Sequence, residues 1–251
     1  MRILHQKHSK NHDLRPTQDG HSIIKYLIIH YTEMNFDDAL SKLCDSTANV
    51  SAHYIIKKSG QIYQLVGDFY RAWHCGLSCW KKDYAINDSS IGIELDNLGT
   101  EEFQLEQINS LLELLKLLQN KYNIARENIL GHSDISPERK IDPGLYFDWN
   151  LLKRYGFGIP FCQNNKLSNM LRLNAREISS IQTKLKNVGY NIGITGILDK
   201  QTSDVFRAFK LHFNKEAIFQ IEEKQFLANL ENIYQWDDQS DRILNMLNEL
   251  K

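Results

Sequence analysis

Residues 23–31 read Ile-Ile-Lys-Tyr-Leu-Ile-Ile-His-Tyr, a run rich in β-branched and aromatic side chains. It is too short for a buried helix of normal length and predicts a central strand that ends at His30. Residues 91–95 (Ile-Gly-Ile-Glu-Leu) and 128–130 (Asn-Ile-Leu) have a similar character. These runs predict buried strands with polar residues placed at or just past their ends.

Helical signals lie between these strands. Asn35 is a good N-cap for a helix with an apolar spacing of three and four up to Leu43, and residues 101–122 carry a continuous apolar stripe. Residues 51–66 form two strand-like runs around Lys-Ser-Gly, which predicts a β-hairpin. The alternation predicts an α/β (α+β) fold, with a mixed central β-sheet flanked by helices.

The ends of the chain differ from this middle. Residues 1–20 are polar and histidine-rich, which predicts an N-terminal tail or a surface wrap. After the sheet domain over 21–160, we expect a linker over 161–175 and a small all-helical domain over 176–251. Its helices are expected at 175–188, 199–213, around 222–230 and at 237–250.

Composition narrows the class of protein. The 251 residues include 30 Lys and Arg against 31 Asp and Glu, so the net charge of -1 gives no reason to expect a nucleic-acid partner. The apolar runs are too short to span a bilayer, and no signal peptide is visible. Cys75 and Cys79 are close enough to raise the question of a disulfide, although two thiols are favoured.

Four polar residues fall at places that suggest a site. His30 ends the first strand, Glu94 lies within an apolar strand, and His132 and Asp142 bracket a loop that contains Pro137. A single regular helix cannot bring His132 and Asp142 onto one face, but a loop that folds back can. Each residue alone also fits an ordinary turn or a solvent-facing position, and their joint occurrence favours a site.

The residue types indicate metal chemistry. Two histidines and an aspartate supply three ligands and leave the fourth tetrahedral position to water, as in catalytic zinc sites. Glu94 is the candidate to accept a proton from that water, and Lys140 is placed in sequence to offer positive charge to a developing oxyanion. There is no His-Glu-x-x-His motif, so a zinc peptidase of that kind is not indicated.

These residues lie in motifs that resemble, over roughly residues 23–160, the zinc-dependent N-acetylmuramoyl-L-alanine amidases of the AmiD/AmpD type. The motifs are 28–32 (Ile-Ile-His-Tyr-Thr), 51–54 (Ser-Ala-His-Tyr), 72–76 (Ala-Trp-His-Cys-Gly), 90–94 (Ser-Ile-Gly-Ile-Glu) and 131–144 (Gly-His-Ser-Asp-Ile-Ser-Pro-Glu-Arg-Lys-Ile-Asp-Pro-Gly). The resemblance implies a fold related to peptidoglycan-recognition proteins and one Zn²⁺ per chain.

The resemblance also implies roles for individual residues. It makes His30, His132 and Asp142 the metal ligands, Glu94 the general base and Lys140 the oxyanion-stabilising group. It places His53, Trp73 and His74 along the substrate groove, with a core aromatic as the alternative for Trp73.

The implied reaction is hydrolysis of the amide between the lactyl group of N-acetylmuramic acid and L-alanine of the stem peptide. A non-catalytic peptidoglycan-recognition module is the alternative, and the complete ligand set favours the enzyme. The expected partner is peptidoglycan or a muropeptide, with intact wall or soluble fragment left open, as is the oligomeric state.

The helical domain resembles, more faintly, a three-helix peptidoglycan-binding module through residues 181–190, 195–199 and 202–209. An unrelated helical cap is the alternative. A wall-binding domain favours the cell envelope (periplasmic or secreted), whereas the missing signal peptide favours the cytoplasm.

Overall fold

The structure is a computed structural model that describes residues 2–18, 21–161, 168–216, 218 and 234–249. The chain divides into two compact units. The first comprises residues 1–78, 85–132 and 142–159, and the second comprises 79–84, 133–141 and 160–251. The helix expected around 222–230 lies outside the described residues.

The strands, in chain order, are short. They are β1 (Ile3–Leu4), β2 (His12–Leu14), β3 (Thr17–Gln18), β4 (His21–Ser22), β5 (Tyr26–Tyr31), β6 (Tyr54–Ile56), β7 (Ile62–Gln64), β8 (Tyr70–Ala72), β9 (Cys79–Trp80), β10 (Asp83–Tyr84), β11 (Ser90–Leu95) and β12 (Ile129–Gly131). Six of them form one sheet in the order β1-β7-β6-β11-β5-β12. The β6–β7 pair is antiparallel and the other pairs are parallel, which confirms the predicted mixed sheet and the hairpin.

The helices of the described residues flank this sheet or build the second unit. They are α1 (Phe36–Cys44), α2 (Leu105–Tyr122), α3 (His132–Ile135), α4 (Trp149–Arg154), α5 (Ala175–Val188), α6 (Lys200–Phe213) and α7 (Asp238–Glu249). The Asn35 side chain accepts a hydrogen bond from the Asp38 amide, which confirms the predicted cap of α1. Helix α2 begins one turn later than expected, and its leucine stripe packs into the main core with the strand isoleucines.

The N-terminal segment is packed on the sheet unit, as in the surface wrap that was one of the two expectations, and is not a free tail. Strand β1 pairs with β7, and β2 pairs with β8. Between them Ser9 and Asn11 are buried and donate hydrogen bonds from their side chains to backbone carbonyls. This segment is held by polar contacts to the backbone, so its lack of apolar residues does not indicate a tail.

Arg15 is the anchor of this segment. Its guanidinium is buried and donates to the carbonyl oxygens of Asp68, Asn87, Asp88 and Ser90 at 2.6 to 3.1 Å. Burial lowers the pKa of Arg15 to about 10, so the group stays charged at neutral pH.

Replacing Arg15 with alanine is expected to lower the free energy of unfolding by about 3 kcal/mol or more, because several buried carbonyls lose their donor. Denaturant unfolding measures this change. Lys10→Ala is the matched control, since Lys10 is exposed in the same segment. Equal stability of the two variants would contradict the anchoring role.

The second unit includes more of the chain than the expected helical domain. In addition to α5, α6 and α7 it contains the β9–β10 hairpin and residues 133–141. Its core holds a cluster of aromatic rings that are almost completely buried: Trp80, Tyr190, Phe206, Phe209, Phe213 and Trp236. Trp80 lies against Tyr190, which explains why the hairpin belongs to this unit.

A buried ion pair lies inside this unit. Lys210 Nζ is 3.0 Å from Asp237 Oδ2, and neither side chain is exposed. Burial lowers the pKa of Lys210 and the Asp237 charge opposes that effect. The Asp237 carboxylate also accepts hydrogen bonds from Ser168, Asn214 and Ser240.

The variant Lys210→Met is expected to lower the free energy of unfolding by about 3–5 kcal/mol, because it leaves a buried carboxylate without its counter-charge. Lys200→Ala on the same helix is the control. Lys200 is 81% exposed and its pair with Asp204 is worth at most about 1 kcal/mol. A loss below about 1 kcal/mol for Lys210→Met, measured by denaturant unfolding, would contradict this reasoning.

Cys44, Cys75 and Cys79 are thiols in the structure, so no disulfide links Cys75 to Cys79. Within the described residues, no helix combines the length and the apolar character that crossing a membrane requires.

Candidate metal centre

Three parallel strands carry the predicted site residues to one edge of the sheet. Glu94 of β11 is the register partner of His30 of β5, so the two side chains leave adjacent strands on the same face. On the other side of β5, Gly131 of β12 pairs with Ile29, and His132 follows directly. The carboxyl ends of parallel strands meet at one edge, where open sheets commonly bind ligands.

The nitrogens of His30 and His132 and the carboxylate of Asp142 meet closely. His30 Nδ1 lies 3.0 Å from His132 Nδ1 and 2.9 Å from Asp142 Oδ2, and His132 Nδ1 lies 3.1 Å from Asp142 Oδ2. Ligands of a tetrahedral zinc ion lie about 3.3 Å from one another. All three residues are buried, and their atoms fit three of the four positions around one cation.

The other ring nitrogen of each histidine has its own partner. His132 Nε2 lies 3.0 Å from the Cys75 carbonyl oxygen, which only an N–H can satisfy. That bond leaves His132 Nδ1 without a proton and able to bind a metal. His30 Nε2 lies 3.0 Å from His74 Nδ1, so His30 can donate from Nε2 and keep Nδ1 for the metal in the same way.

His74 supports this arrangement. Burial, reinforced by the neighbouring imidazoles, holds the pKa of His74 well below its ordinary value, so the ring stays neutral and can accept from His30. Its Nε2 lies 3.2 Å from Ser90 Oγ, which completes a chain from His30 through His74 to Ser90. The chain fixes the orientation of a metal-binding ring.

Charge at the centre is set by Asp142. Burial alone would raise the pKa of its carboxyl group, but the His132 and His30 rings, when they carry a proton on the nitrogen that faces Asp142, reverse the effect and hold the pKa well below its usual range. The group is therefore an anionic ligand at neutral pH.

A second set of donors overlaps the first. His30, His74 and Cys75 also bring ligand atoms within reach of one ion. This set would use His30 Nε2 and His74 Nδ1, the two atoms that face each other across 3.0 Å in the supporting chain. It also contains no carboxylate, so the set with Asp142 is the better site for a hard or borderline cation.

The structure buries both His53 and His74. His53 is fully buried; its Nδ1 accepts from the Gly92 amide and its Nε2 lies 3.0 Å from the Tyr70 carbonyl oxygen. Burial lowers the pKa of His53 to about 3, so it stays neutral. Both histidines are placed to hold strands and ligands, and their predicted place along a substrate groove stays a prediction.

Trp73 and Lys140 are placed as follows. Trp73 is half-buried, and its indole N–H donates to Asp13 Oδ2 at 2.8 Å. Lys140 belongs to the second unit, where its amide closes a turn by donating to the Ser136 carbonyl oxygen at 3.0 Å. Their groove-lining and oxyanion roles stay predictions.

Sequence reasoning missed three supporting groups. The Cys75 carbonyl oxygen contacts the ligand His132, and Ser90 contacts the supporting His74. Gly92 makes room for His74, because a Cβ at Gly92 would lie 2.4 Å from that ring. A glycine inside a buried strand is a sequence signal for such a close approach. A backbone carbonyl leaves no signal in the residue type.

A mixed sheet that gathers two histidines, an aspartate and a glutamate at one edge is an arrangement that suits a metal-dependent hydrolase. Residues 19–145 match the family model described as N-acetylmuramoyl-L-alanine amidase. The chain belongs to this family, which confirms the resemblance found in the motifs.

Known relatives extend the likeness beyond the sheet unit. The chain is 35% identical over 218 residues to the N-acetylmuramoyl-L-alanine amidase AmiD of Escherichia coli, covering 79% of this chain and 78% of that protein. It is 46% identical over 101 residues to the 1,6-anhydro-N-acetylmuramyl-L-alanine amidase AmpD of Haemophilus influenzae, covering 40% of this chain and 55% of AmpD.

Among solved structures, the complex of Escherichia coli AmiD with anhydro-N-acetylmuramic acid-L-Ala-D-gamma-Glu-L-Lys matches with a TM-score of 0.77 and 30% identity. The match covers 94% of this chain and 93% of that one. It confirms the predicted fold class.

Proposed function

We propose that this chain hydrolyses the amide bond between the lactyl group of N-acetylmuramic acid and L-alanine of the stem peptide. One observation carries the proposal: the two histidine Nδ1 atoms and Asp142 Oδ2 converge within 3.1 Å while each histidine Nε2 is engaged elsewhere. Such a preformed set of donors is expected of a catalytic metal site.

The metal we propose is one Zn²⁺ per chain, bound by His30, His132 and Asp142. When bound, zinc supplies Lewis acidity that makes water a nucleophile near pH 7 and polarises a carbonyl group. Nitrogen and carboxylate donors in a buried pocket suit this borderline cation.

Glu94 carries the proton steps. As His30's partner across the strand pair, its carboxylate can take the proton from the attacking water and later return one to the departing amine of L-alanine. The water oxygen forms a bond to the lactyl carbonyl carbon, the C–N bond breaks as the amine is protonated and leaves, and the lactyl group remains as a carboxylate. Lys140 is proposed to place its ammonium group near the oxyanion that develops on the attacked carbonyl.

The non-catalytic recognition module is the less favoured alternative. A binding protein has no need for a general base, and Glu94 is a half-buried carboxylate within an otherwise buried apolar strand. A carboxylate at this position of a buried strand fits a general base, and a recognition module needs none.

The proposed substrates are the anhydro-muropeptides and wall strands that contain this amide. The AmiD relative was solved with such an anhydro-muropeptide, and an AmpDh3 structure from Pseudomonas aeruginosa, 26% identical, with anhydromuramic pentapeptide. We propose that the enzyme acts on peptidoglycan in the bacterial cell envelope, with the cytoplasm as the alternative, and that residues 176–251 bind wall.

Product analysis by mass spectrometry tests the proposed function. Incubation with a soluble anhydro-muropeptide is expected to release the intact stem peptide with a free L-alanine amine and an anhydro-sugar with a free lactyl carboxylate. A parallel incubation with purified sacculi shows whether the enzyme cleaves intact wall, soluble fragments or both. Cleavage between two amino acids, or no cleavage of either substrate, would contradict the proposal.

A further inference from the structure

The segment 133–141 connects two of the proposed metal ligands, His132 and Asp142, and carries Lys140. It forms part of the second compact unit, with the C-terminal helices. What holds this segment therefore bears on the position of three residues of the proposed site.

Asp134 is the buried anchor of the segment. Its Oδ1 accepts a hydrogen bond from the Tyr190 hydroxyl at 2.9 Å, and its Oδ2 lies 2.7 Å from His212 Nδ1. All three side chains are buried. Burial holds the pKa of Tyr190 well above its ordinary value, so Tyr190 remains a proton donor to the carboxylate. Removing such donors from a buried carboxylate costs free energy, so these two contacts hold Asp134 strongly in place.

Two further contacts tie the segment along helix α6. Gln201 Nε2 donates to Glu138 Oε1 at 3.1 Å, and the Arg207 guanidinium donates to the Pro137 carbonyl oxygen. With His212, these residues span three turns of α6, or about 16 Å along the helix. The segment is thus docked on this helix at three levels.

We propose that Tyr190 and His212 are positioning residues for catalysis, holding through Asp134 the segment that carries Lys140 and links both ligands. The inference rests on the proposed function. It gives the C-terminal helices a part in the chemical step itself, independent of any binding to wall. A shift of about 1 Å in catalytic groups is enough to cost about 100-fold in rate.

The variants Tyr190→Phe and His212→Phe test this role with little change in packing. Phenylalanine keeps the ring that Tyr190 places against Trp80 and the ring that His212 stacks on Phe213. Each variant is expected to lower kcat about 10- to 100-fold with KM changed less than about twofold. The loss is expected to be equal on a soluble anhydro-muropeptide and on sacculi, and hydrogen exchange of the 133–141 amides is expected to accelerate.

Lys184→Ala is the control, because Lys184 contacts Asn245 of α7 and no residue of the segment. Unchanged kcat in both phenylalanine variants, or a loss confined to sacculi, would overturn the inference. Thermal unfolding establishes whether each variant is folded. If one variant is unfolded, the kcat of the other variant and the exchange rates of the 133–141 amides test the inference. A wild-type enzyme that leaves the soluble substrate intact would instead contradict the proposed function, and the exchange experiment would still test the docking.

An independent feature of the same unit is a cleft of about 550 Å³ between the β9–β10 hairpin and the end of α5. Its polar lining comprises Lys81, Lys82, Tyr84, Lys186, Asn187 and Asn191. Among the described residues that line it, the three lysines are the charged ones, and Asp83 of the same hairpin acts on the lining residue Cys79.

The hairpin turn presents two of these lysines in an unusual backbone conformation. Lys81 and Lys82 have φ of 48° and 70°, values for which such a turn ordinarily uses asparagine and glycine. The Lys81 amide donates to the Gly189 carbonyl oxygen at 2.9 Å, and a Cβ at Gly189 would lie 2.5 Å from Trp80. These contacts hold the turn in place. Backbone strain that is held by surrounding contacts is typical of binding sites.

We infer that this cleft binds an anionic segment of the wall, through the free carboxylates of its stem peptides. Lysine ammonium groups attract such anions, while the exposed Tyr84 ring and the two asparagine amides suit the sugar and peptide groups beside them. This inference also rests on peptidoglycan being the substrate.

Co-sedimentation with purified sacculi tests the cleft with the triple variant Lys81→Glu, Lys82→Glu and Lys186→Glu. Binding at low salt is expected to weaken about tenfold, with kcat on a soluble anhydro-muropeptide unchanged. Lys10→Glu, Lys42→Glu and Lys116→Glu make the control, because these exposed lysines lie outside the second unit and the change in charge is equal.

Equal binding of the two triple variants would overturn the site. Sacculi treated with hydrofluoric acid, which removes phosphodiester-linked polymers, are expected to bind the wild type as well as untreated sacculi do. Loss of binding after that treatment would overturn the assignment to carboxylates in favour of a phosphate-bearing polymer.

Discussion

Replacing Glu94 with alanine is expected to lower kcat on a muropeptide by about 10²- to 10⁴-fold, while the fold and the bound zinc remain. The reason is that only the proton transfers are removed. Glu94 is not among the three donors that converge on the metal position, so the ligand set stays complete.

Glu94→Gln is the matched variant, since it keeps the size of the side chain and one accepting oxygen and removes its basicity. Steady-state kinetics, metal analysis and thermal unfolding are measured on the same preparations. Full turnover in either variant would contradict the role of Glu94 as general base. Loss of zinc together with activity would make Glu94 a ligand or a structural residue instead.

Replacing His132 with alanine is expected to lower zinc affinity by more than about 100-fold, because a direct ligand contributes more than a supporting contact does. Turnover is expected to fall to background for the same reason. Metal analysis after dialysis against a weak chelator measures the stoichiometry, which is expected to fall from one zinc per chain towards zero.

Cys75→Ser is the control for His132→Ala. Cys75 belongs only to the alternative donor set, and the bond that Cys75 makes to His132 comes from its backbone carbonyl. The serine variant is therefore expected to keep its zinc. The reverse result, with zinc lost from Cys75→Ser and kept in His132→Ala, would move the metal to the alternative set.

The sheet was predictable from local sequence because its strands are buried on both faces. The continuous apolar runs around Leu27 and Ile93 can be satisfied only inside a parallel sheet, and the Lys-Ser-Gly turn and the Asn35 cap act through neighbouring residues. Such local signals are independent of the rest of the chain.

The N-terminal segment and the unit boundaries could not be predicted in this way. Arg15 is buried because four distant carbonyl oxygens surround it, and composition alone classes the segment as solvent-exposed. Likewise, Asp134 joins the helical unit through Tyr190 and His212, which are 56 and 78 residues away in sequence.

In the candidate site, too, local sequence predicts some features and tertiary packing decides the others. His30, Glu94 and His132 lie at strand ends, and parallel pairing alone brings strand ends to one edge. The distinction between a groove-lining histidine and a buried supporting one depends on tertiary packing. The motifs that contain His53 and His74 could therefore not show that both rings are buried near the centre.

The most direct test of the proposed metal centre is a crystal structure with anomalous diffraction measured on both sides of the zinc absorption edge. The account predicts one zinc peak about 2.0–2.2 Å from His30 Nδ1, His132 Nδ1 and an Asp142 oxygen. A peak bound by His74 and Cys75, or no zinc peak in fully active protein, would contradict it.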